Sequence, residues 1–355
     1  MYERFGWVRD MRGVPQDRVH HAEGDVETHT RMVCDELQKL NAYQSLDEQS
    51  QEILWASALM HDIEKRSTTI HNDDGSISSP GHAKKGAFTA RGLIYRNHPA
   101  PFAVREAVVK LVRYHGLPLW IFHKPDPVKA LLAASLSVNT AWLCQLAEAD
   151  VRGRACSDKE ELLYRIALFR ELCSEHDVLG KEKQFISPLA KMHYFGREEA
   201  SYDYEPFDDT RCEVTLLSGL PGSGKDTYAS RNLKGLPVVS IDAIRRANKI
   251  SPTDTSGNGR AVQMAKEQAR VFLRAGISFV WNATNITRSM REQLIALFLT
   301  YKAKVKIVYV EVPYAQLRLQ NREREHAVPM PALERMIDKL EVPSQDEAHT
   351  VIYQV

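Results

Sequence analysis

The chain has 355 residues, a length that exceeds what a single hydrophobic core usually supports and that favours two domains. Its formal net charge of +1 provides no overall positive field, so a polynucleotide partner would have to bind a local basic groove. No apolar run is long enough to cross a bilayer and the first residues lack a signal-peptide core, so we expect a cytoplasmic protein with no membrane partner.

Residues 25–179 have the periodicity of helices throughout. Apolar residues recur at spacings of three and four, as in 30–37, 52–60 and 103–112, and β-branched alternation is scarce. The stretch 181–210 is rich in aromatic and acidic residues, and we expect it to be a linker. The sequence therefore predicts an all-α domain over residues 1–180.

After this stretch, short apolar strands alternate with helical segments. The predicted strands are Val214–Leu217, Val238–Ile241, Ser278–Trp281, Val305–Val312 and Thr350–Val355. Strands separated by helices imply βαβ units and a parallel sheet. We therefore expect a second domain, of α/β class, over residues 211–355.

Histidines and aspartates in the helical region indicate a metal site. His61 and Asp62 follow an apolar helical run, at whose end both side chains could turn toward one ion; His29 lies upstream and Asp150 near the end of the region. This mixed nitrogen and oxygen set suits a divalent transition metal. Two further imidazoles, which could complete a second site bridged by Asp62, are His82 and His115. The alternative is a purely structural cluster, since the chain has 13 histidines.

These residues resemble the HD-domain metal-dependent phosphohydrolases. The resemblance is carried by segments 24–30, 58–65, 81–82, 114–116 and 149–153. It implies an all-α bundle that holds one or two divalent transition metals and activates water against a phosphoester. The implied metal ligands are His29, His61, Asp62 and Asp150, with His82 and His115 completing a second site. Lys65 could pair with a substrate phosphate, whereas Glu64 replaces a glycine that many relatives carry.

A phosphate-binding loop begins the second domain. The sequence Gly-Leu-Pro-Gly-Ser-Gly-Lys from Gly219 follows a predicted strand and precedes a helical segment, which is the context that gives this motif its meaning. Backbone N–H groups of the loop can surround phosphate oxygens, and Lys225 adds a positive charge. The alternative is a chance glycine turn. The expected nucleotide-binding residues are Gly219, Pro221, Gly222, Ser223, Gly224, Lys225, Asp226 and Thr227.

Polar residues follow the next two strands at their carboxyl ends, where ligands bind in open α/β sheets. Asp242 could accept the proton of an attacking hydroxyl, and Arg245, one helical turn on, could hold a phosphate of the acceptor. The alternative for Asp242 is a helix N-cap. Thr284 and Asn285 could point into the same crevice, or could simply form a strand-ending turn.

Several arginines follow the Val305–Val312 strand, in the run 318–324. An exposed, salt-bridged helix face is the usual fate of such a run. In a nucleotide-binding fold, the same run could be a lid that brings arginines to the transferred phosphoryl group.

Together, these features resemble the polynucleotide 5′-kinases of the P-loop phosphotransferase superfamily. The resemblance implies Asp242 as general base, Arg245 on the 3′-phosphate beside the 5′-hydroxyl, and Lys225 with Arg318 and Arg322 on the phosphates of ATP or another NTP. Arg324 is an alternative to Arg322. Asp226 stands where most such loops have a Ser or Thr that contacts Mg²⁺, and its carboxylate could still bind that ion directly or through water.

A helical HD phosphohydrolase followed by such a kinase resembles the bifunctional HD-Pnk end-healing family of bacteria. The resemblance implies removal of 2′,3′-cyclic phosphate or 2′-phosphate from one RNA or DNA end and ATP-dependent phosphorylation of a 5′-hydroxyl end. The products would suit an RNA ligase acting next. Two alternatives are an HD nucleotidase fused to a small-metabolite kinase and a regulatory module that senses nucleotides without turnover.

Overall fold

The computed structural model describes residues 5–251 and 254–355 and divides the chain into two compact units, Met1–Gln184 and Phe185–Val355. The first unit is helical, and the second is an α/β unit with a parallel sheet. The predicted order of a helical region followed by an α/β region is therefore confirmed. The finer domain bounds and the HD assignment stay predictions.

Helices account for most of the first unit. They are α1 (Gly6–Arg9), α2 (Val26–Lys39), α3 (Asn41–Gln44), α4 (Glu48–Met60), α5 (Lys65–Thr68), α6 (His82–Asn97), α7 (Phe102–Tyr114), α8 (Leu117–Trp120), α9 (Pro127–Ser135), α10 (Thr140–Arg152) and α11 (Lys159–Glu175). Many begin at a side-chain cap that satisfies a free N–H group of the first turn. The capping side chains of α2, α4, α9 and α10 are those of Asp25, Asp47, Asp126 and Asn139.

The central helices of this unit pack against one another. Helix α2 contacts both α4 and α10, and α7 contacts α4. Their facing residues are apolar and fully buried, among them Val33, Leu54, Leu111 and Leu146. This core fixes the positions of the helix ends, and the polar residues at those ends are thereby brought to one place.

A short hairpin interrupts the helical unit. Strands β1 (Ile70–His71) and β2 (Ile77–Ser78) pair antiparallel. The turn between them includes Gly75, whose φ of +82° favours glycine, and is closed by a 2.9 Å bond from Asn72 N to Ser76 O. The expectation that residues 25–179 are helical throughout is therefore wrong here, because the asparagine, aspartate and glycine residues form a turn.

The stretch expected as a linker contains a helix, α12 (Pro188–Phe195), capped by Ser187. Lys191 on this helix donates to the carbonyl of Gln345 at 2.5 Å, so α12 is tied to the rest of the second unit. The other elements of this unit are β3 (Cys212–Ser218), α13 (Lys225–Asn232), β4 (Val238–Ser240), α14 (Ile241–Ala247), α15 (Thr255–Arg274), β5 (Phe279–Asn282), α16 (Arg288–Thr300), β6 (Ala303–Val310), α17 (Tyr314–Glu323), α18 (Met330–Asp338) and β7 (Thr350–Gln354).

The sheet of the second unit is parallel throughout and has the strand order β4-β5-β3-β6-β7. Both faces are buried: Val214 and Leu216 of β3 belong to one apolar cluster, whereas Leu217 belongs to another. The strands that follow β3 in the chain are added to the sheet first on one side of β3, as β4 and β5, and then on its other side, as β6 and β7. Ligands bind outside the carboxyl ends of strands at such a reversal, so the end of β3 is the expected binding position.

Among the described residues, no single helix is long and apolar enough to cross a membrane. Two consecutive helices, Pro127–Ser135 and Thr140–Arg152, reach the length and apolar composition of a membrane span only when they are counted together. The chain bends by 110° between them.

A buried ion pair joins the carboxyl-terminal part of the sheet unit to α16. Arg291 and Glu347 form two contacts, of 2.7 and 2.9 Å, with side chains at most 1% exposed. The same guanidinium donates to the carbonyls of Asn285 and Glu341 at 3.0 and 2.8 Å. Arg291 thus links the strand end beside the phosphate loop to the segment that precedes β7.

Replacing this arginine should strongly destabilise the second unit. We expect Arg291→Ala to lower the free energy of unfolding by roughly 3–5 kcal/mol, because the Glu347 carboxylate would be left buried without its partner. Chemical denaturation measures the loss. The matched control is Arg270→Ala, which removes the pair between a partly buried arginine and the exposed Glu267 and should cost less than about 1 kcal/mol. Equal losses in the two variants would contradict the prediction.

Candidate functional sites

The predicted metal ligands of the first unit lie at or near helix ends. His29 is in the first turn of α2, and Asp150 is near the end of α10. His61 is the residue at which α4 ends, so Asp62 follows the helix and both can face the same point. The remaining two histidines, at the start of α6 and the end of α7, are His82 and His115.

The Asp62 carboxylate lies between two pairs of imidazoles. Its Oδ2 atom is 3.2 Å from His61 Nε2 and 3.8 Å from His29 Nε2. Its Oδ1 atom is 3.3 Å from His82 Nε2 and 3.9 Å from His115 Nε2. The structure therefore brings five of the six predicted ligands together around one buried side chain. The sixth, Asp150, is 3.1 Å from the Nε2 atom of His29.

Each ligand histidine is oriented through its other ring nitrogen. The Nδ1 atoms of His61, His82 and His115 lie 2.7, 2.7 and 2.9 Å from the carbonyl oxygen three residues earlier in the chain. Because a carbonyl can only accept, Nδ1 carries a proton, and each ring in its neutral form presents the lone pair of Nε2 toward Asp62. Such outer hydrogen bonds are typical of metal-binding histidines.

The result is a cluster in which hydrogen-bond acceptors outnumber donors. His82 Nε2 and His115 Nε2 are 3.3 Å apart and both face Asp62 Oδ1. In the described part of the chain, Asp62 Oδ1 and His61 Nε2 are buried atoms with no hydrogen-bond partner. Lone pairs at these distances repel unless a cation lies among them, so the residues fit metal ions. Two groups of the predicted ligands have their ligand atoms within 4.8 Å of one another: His29, His61 and Asp150, and Asp62, His82 and His115. A third such group is His21, Glu23 and His29.

Electrostatics keep His115 neutral and Asp62 ionised, whereas the pKa of His61 is raised. Burial alone would lower the pKa of His61, but Asp62 and Asp150 outweigh it, so a metal would have to displace its proton. Burial lowers the pKa of His115 to about 3, and the nearby His82 and His61 act in the same direction, so this ring is neutral near pH 7. Burial alone would raise the pKa of Asp62, but His61 and Lys65 outweigh it and hold the pKa well below its ordinary value. A neutral imidazole and an ionised carboxylate are the ligand forms that a divalent cation requires.

Two cations contact the carboxylates of the cluster. Lys65 Nζ lies 2.8 Å from Asp62 Oδ2 and also donates to Gln16 at 2.8 Å. Arg154 donates to both oxygens of Asp150, at 2.6 and 3.1 Å. Lys65, predicted as a phosphate-binding residue, therefore lies beside the cluster. The negative charge of Asp150 is partly neutralised by Arg154.

Sequence reasoning missed Glu23. Its Oε1 atom is 2.8 Å from Nδ1 of His29 and 2.8 Å from Nδ1 of His21, and its Oε2 atom accepts from Ala155 N at 2.9 Å. Glu23 therefore orients His29 and also holds the segment next to Arg154. The signal in the sequence was weak, because a glutamate six residues before a histidine has no motif of its own.

The Asp62 cluster forms part of the wall of a cavity of about 650 Å³. Asp62, His82, His115 and Asp150 all line it, and so does Lys65. Glu64 does not: it is buried and accepts from Thr89 at 2.8 Å, so the residue that departs from the HD pattern has a structural contact.

The phosphate loop lies at the carboxyl end of β3, between the strand and α13. Gly219 has a φ of +148°, and a Cβ there would lie 2.3 Å from the carbonyl oxygen of Val310 on β6. Gly222 has a φ of +84° and approaches the backbone of Asn321 on α17. These positions require glycine because neighbouring strands and helices contact the loop. Of the other predicted residues, Pro221 and Ser223 are buried, and Asp226 and Thr227 are exposed in the first turn of α13.

Lys225 is folded onto the loop. Its Nζ atom donates to the carbonyls of Gly219 and Leu220 at 2.9 and 2.8 Å. Burial lowers its pKa to about 8; Arg324 adds to this effect, whereas Asp226 and Asp242 oppose it. Charged residues from α13, α14 and the end of α17 therefore act on one amine.

The two aspartates of this site have different partners. Asp226 accepts from the side chain of Asn282, at the end of β5, at 2.6 Å. Asp242 lies in the first turn of α14, with its side chain 54% exposed, and forms an ion pair with Arg245. The N-cap of α14 is Ser240, so the capping alternative for Asp242 is wrong. Arg245 additionally donates to Asn258 at 3.3 Å.

The Ala-Thr-Asn stretch has a mainly structural arrangement. Asn285 is buried, has a φ of +45°, and donates to the carbonyl of Leu217 at 2.7 Å. The carbonyl of Thr284 accepts from Gly219 N at 2.9 Å. These contacts favour the strand-ending turn over a substrate contact by Asn285. The amide that faces the loop is that of Asn282, which the sequence analysis did not select.

The predicted lid arginines lie on and after α17. Arg318 stacks over the ring of Tyr314, 5.7 Å from its centroid, and Arg322 is exposed in the last turn. Arg324 is half-buried and acts electrostatically on Lys225, which favours it over Arg322. Asn321 exchanges two hydrogen bonds with the backbone of Val328, at 2.8 and 3.1 Å, and so closes the segment between them into a loop.

Comparison with known families is consistent with this second site. The family model AAA_33, an AAA domain, matches residues 214–343, the part of the chain that contains the phosphate loop, most of the sheet and α17 but not β7. This part of the chain is therefore similar to an AAA domain, and it contains the phosphate loop between a parallel strand and a helix. The match lies entirely within the second unit.

Two curated relatives are multifunctional CCA proteins. That of Halorhodospira halophila is 36% identical over 103 residues, which are 29% of this chain and 22% of the relative. That of Methylococcus capsulatus is 34% identical over 157 residues, or 42% of this chain and 34% of the relative. The chain thus spans between about a fifth and a third of the length of these relatives.

Two solved structures are similar to part of this chain at low scores. A candidate kinase from Chloroflexus aurantiacus has a TM-score of 0.33 and 16% identity over 41% of this chain and 85% of its own. A sugar kinase from Janibacter, solved without ligand, has a TM-score of 0.32 and 21% identity over 40% of this chain and 85% of its own.

Removing the charge of Glu23 should weaken metal binding. We expect Glu23→Gln to lower the affinity for Mn²⁺ or Zn²⁺ by roughly 10–100-fold, because His29 loses the carboxylate that orients its ring and raises its basicity. Equilibrium dialysis with metal analysis measures the affinity. The control is Glu36→Gln on α2, the helix that carries His29, where the glutamate pairs only with Lys39 among the contacts described. An unchanged metal affinity in Glu23→Gln would contradict the role of Glu23 in orienting His29.

The affinity for ATP should fall as the pH rises above about 8. The pKa of Lys225 is lowered to about 8, so its amine is charged below this pH and neutral above it. The phosphates of ATP are already ionised there, so only the protein loses charge. Titration calorimetry between about pH 7 and 9.5 tests this, with Lys225→Arg as a variant whose charge does not titrate. A constant affinity of the unmodified protein over this range would refute it.

Proposed function

We propose that this protein heals broken polynucleotide ends at two sites, one that hydrolyses a phosphoester and one that transfers a phosphoryl group from ATP. The observation that carries the proposal is the set of acceptors around Asp62, which is suited to divalent cations, in the same chain as a phosphate loop. A hydrolase for 2′,3′-cyclic phosphate or 2′-phosphate ends and a 5′-hydroxyl kinase are the activities that fit the two sites. An RNA ligase would be the natural consumer of the products.

At the hydrolytic site, His29, His61 and Asp150 would hold one divalent transition metal, and His82 and His115 a second, with Asp62 between them. Such a metal, when bound, supplies a water of pKa about 7 and polarises a phosphoryl oxygen. The protein's own contribution is to hold neutral imidazoles and an ionised Asp62 in place. Lys65, 2.8 Å from Asp62, supplies a positive charge to the same cavity, where it can bind a phosphate oxygen.

At the transfer site, the loop N–H groups and Lys225 bind the phosphates of ATP. Asp226 is exposed and can hold Mg²⁺, with Asn282 fixing one of its oxygens. Asp242 is accessible and accepts the proton of the 5′-hydroxyl, while its partner Arg245 binds the acceptor's adjacent phosphate. Arg324 adds charge opposite the transferred phosphoryl group.

The direct test uses the full-length protein with two substrates. A 5′-hydroxyl RNA with labelled ATP reports kinase activity, and an RNA ending in a 2′,3′-cyclic phosphate reports hydrolysis, each with a panel of divalent ions. Free nucleosides are tested in parallel. Labelling of nucleosides alone would favour a small-metabolite kinase, and ATP binding without any product would favour a nucleotide sensor.

Single substitutions should separate the two activities. We expect Asp242→Asn to reduce kinase kcat/KM by about 10²–10⁴-fold, the usual contribution of a general base, and to leave hydrolysis unchanged. Asp62→Asn should abolish hydrolysis and leave the kinase unchanged, because it removes the carboxylate between the two metal groups. Glu267→Gln and Asp73→Asn, both exposed, are the controls. Loss of both activities in either aspartate variant would contradict two independent sites.

A further inference from the structure

The cavity that contains the Asp62 cluster also has an aromatic residue on its wall. Trp120, the last residue of α8, lines this cavity and is 47% exposed. A large, half-exposed aromatic ring beside buried metal-binding groups is a binding surface that the hydrolytic chemistry described above does not use.

The indole of Trp120 is held in position by its neighbours. The guanidinium of Arg165, on α11, lies over the ring at 5.1 Å from the centroid. The imidazole of His123 meets it edge-on at 5.4 Å. These contacts orient the ring while leaving almost half of the residue exposed. A pre-oriented aromatic face loses little conformational freedom when a flat ligand stacks on it.

The same wall carries positive charge that is not neutralised locally. Arg113 and Lys124 line the cavity and are exposed. Among the ion pairs of the described residues, neither has a carboxylate partner, in contrast to Lys65 and Arg154, which contact Asp62 and Asp150. Arg113 and Lys124 are therefore available to an anionic group of a ligand.

A flat aromatic surface and free cations next to a phosphoesterase centre match one class of ligand. A nucleotide combines a planar base with phosphates, whereas a sugar phosphate lacks the base and a lipid phosphate lacks a planar group. The volume of about 650 Å³ lies in the range of small-ligand pockets and accommodates one or two nucleotides of a single strand.

We infer that Trp120 is the base-stacking residue of the hydrolytic site and that Arg113 and Lys124 bind the phosphate flanking the one that is cleaved. This rests on the proposed hydrolysis of polynucleotide ends, whose substrate class it narrows. The cavity then takes the terminal nucleotides of a single strand, and it selects them by stacking, which tolerates any base.

The test compares a nucleotide with a base-free analogue. The full chain carrying Lys225→Ala is used throughout, so that the phosphate loop does not bind the nucleotide. We expect Trp120→Leu to raise KM for 2′,3′-cyclic AMP about tenfold, the scale of one base–aromatic stack, with kcat little changed. KM for 1-O-methylribose 2,3-cyclic phosphate should not change. Trp120→Phe, which keeps an aromatic face, should restore most of the loss.

The matched control is Phe122→Leu. Phe122 is also exposed and lies two residues from Trp120, but it is not among the residues that line the cavity. Arg113→Gln provides the complementary result on a dinucleotide that ends in a 2′,3′-cyclic phosphate, whose internal phosphate flanks the cleaved one: it should raise KM for that compound. An unchanged KM in Trp120→Leu, or an equal rise for the nucleotide and the base-free compound, would overturn the inference.

Equilibrium dialysis of 2′,3′-cyclic AMP separates this inference from the proposed function, because it needs no turnover. If the protein hydrolyses neither compound but Trp120→Leu still binds the nucleotide about tenfold more weakly, the proposed activity fails and the stacking role stands. If the protein with Trp120 intact does not bind the nucleotide, or binds it no better than Trp120→Leu does, the stacking role fails whatever the activity.

Discussion

The first unit depends on the burial of one ionised carboxylate. Asp62 is almost inaccessible to solvent, and an unpaired charge in that position would be very costly. Its two oxygens divide the surrounding histidines into two pairs, and Lys65 contacts one of the oxygens. The arrangement has more acceptors than donors, which makes it a poor structural core and a good cation site. The apolar packing of the surrounding helices holds these side chains together despite the repulsion between the acceptors.

The second unit meets a different constraint, which is close approach of backbone to backbone. Gly219 has no room for a Cβ against β6, and Arg291 with Glu347 connects the neighbouring strand end to the segment before β7. The loop is therefore supported from several sides before any phosphate is bound. Rigid support of this kind is what allows the backbone N–H groups to stabilise charge without reorganising.

Much of this could be predicted from the sequence because it depends on residue type and local spacing. The predicted strand Val305–Val312 is Ala303–Val310 in the structure, and the strand that ends at Ser218 leads into the loop as expected. The histidines and aspartates of the first unit could be selected because they form a set of imidazoles and carboxylates, whereas a single histidine at a helix end is not informative. Apolar periodicity likewise distinguished the helical region from the α/β region.

What the sequence could not provide are contacts between distant segments. Glu23 acquires its role only because α2 and the residues around Ala155 come together. Asn282 and Asn285 are equally plausible as ligand-facing amides until the left-handed backbone of Asn285 turns its side chain toward Leu217. The hairpin over residues 70–78 was missed because two strands of two residues each have too little periodicity to detect.

The orientation of the histidines has a thermodynamic consequence. His61, His82 and His115 are each fixed by a carbonyl of their own chain segment, three residues away, so their rings are set as soon as the local helix end forms. The entropy of aligning these side chains is lost during folding and does not oppose ion capture afterwards. His29 differs, since its alignment comes from a separate segment, and the two halves of the cluster are thus preorganised by different parts of the chain.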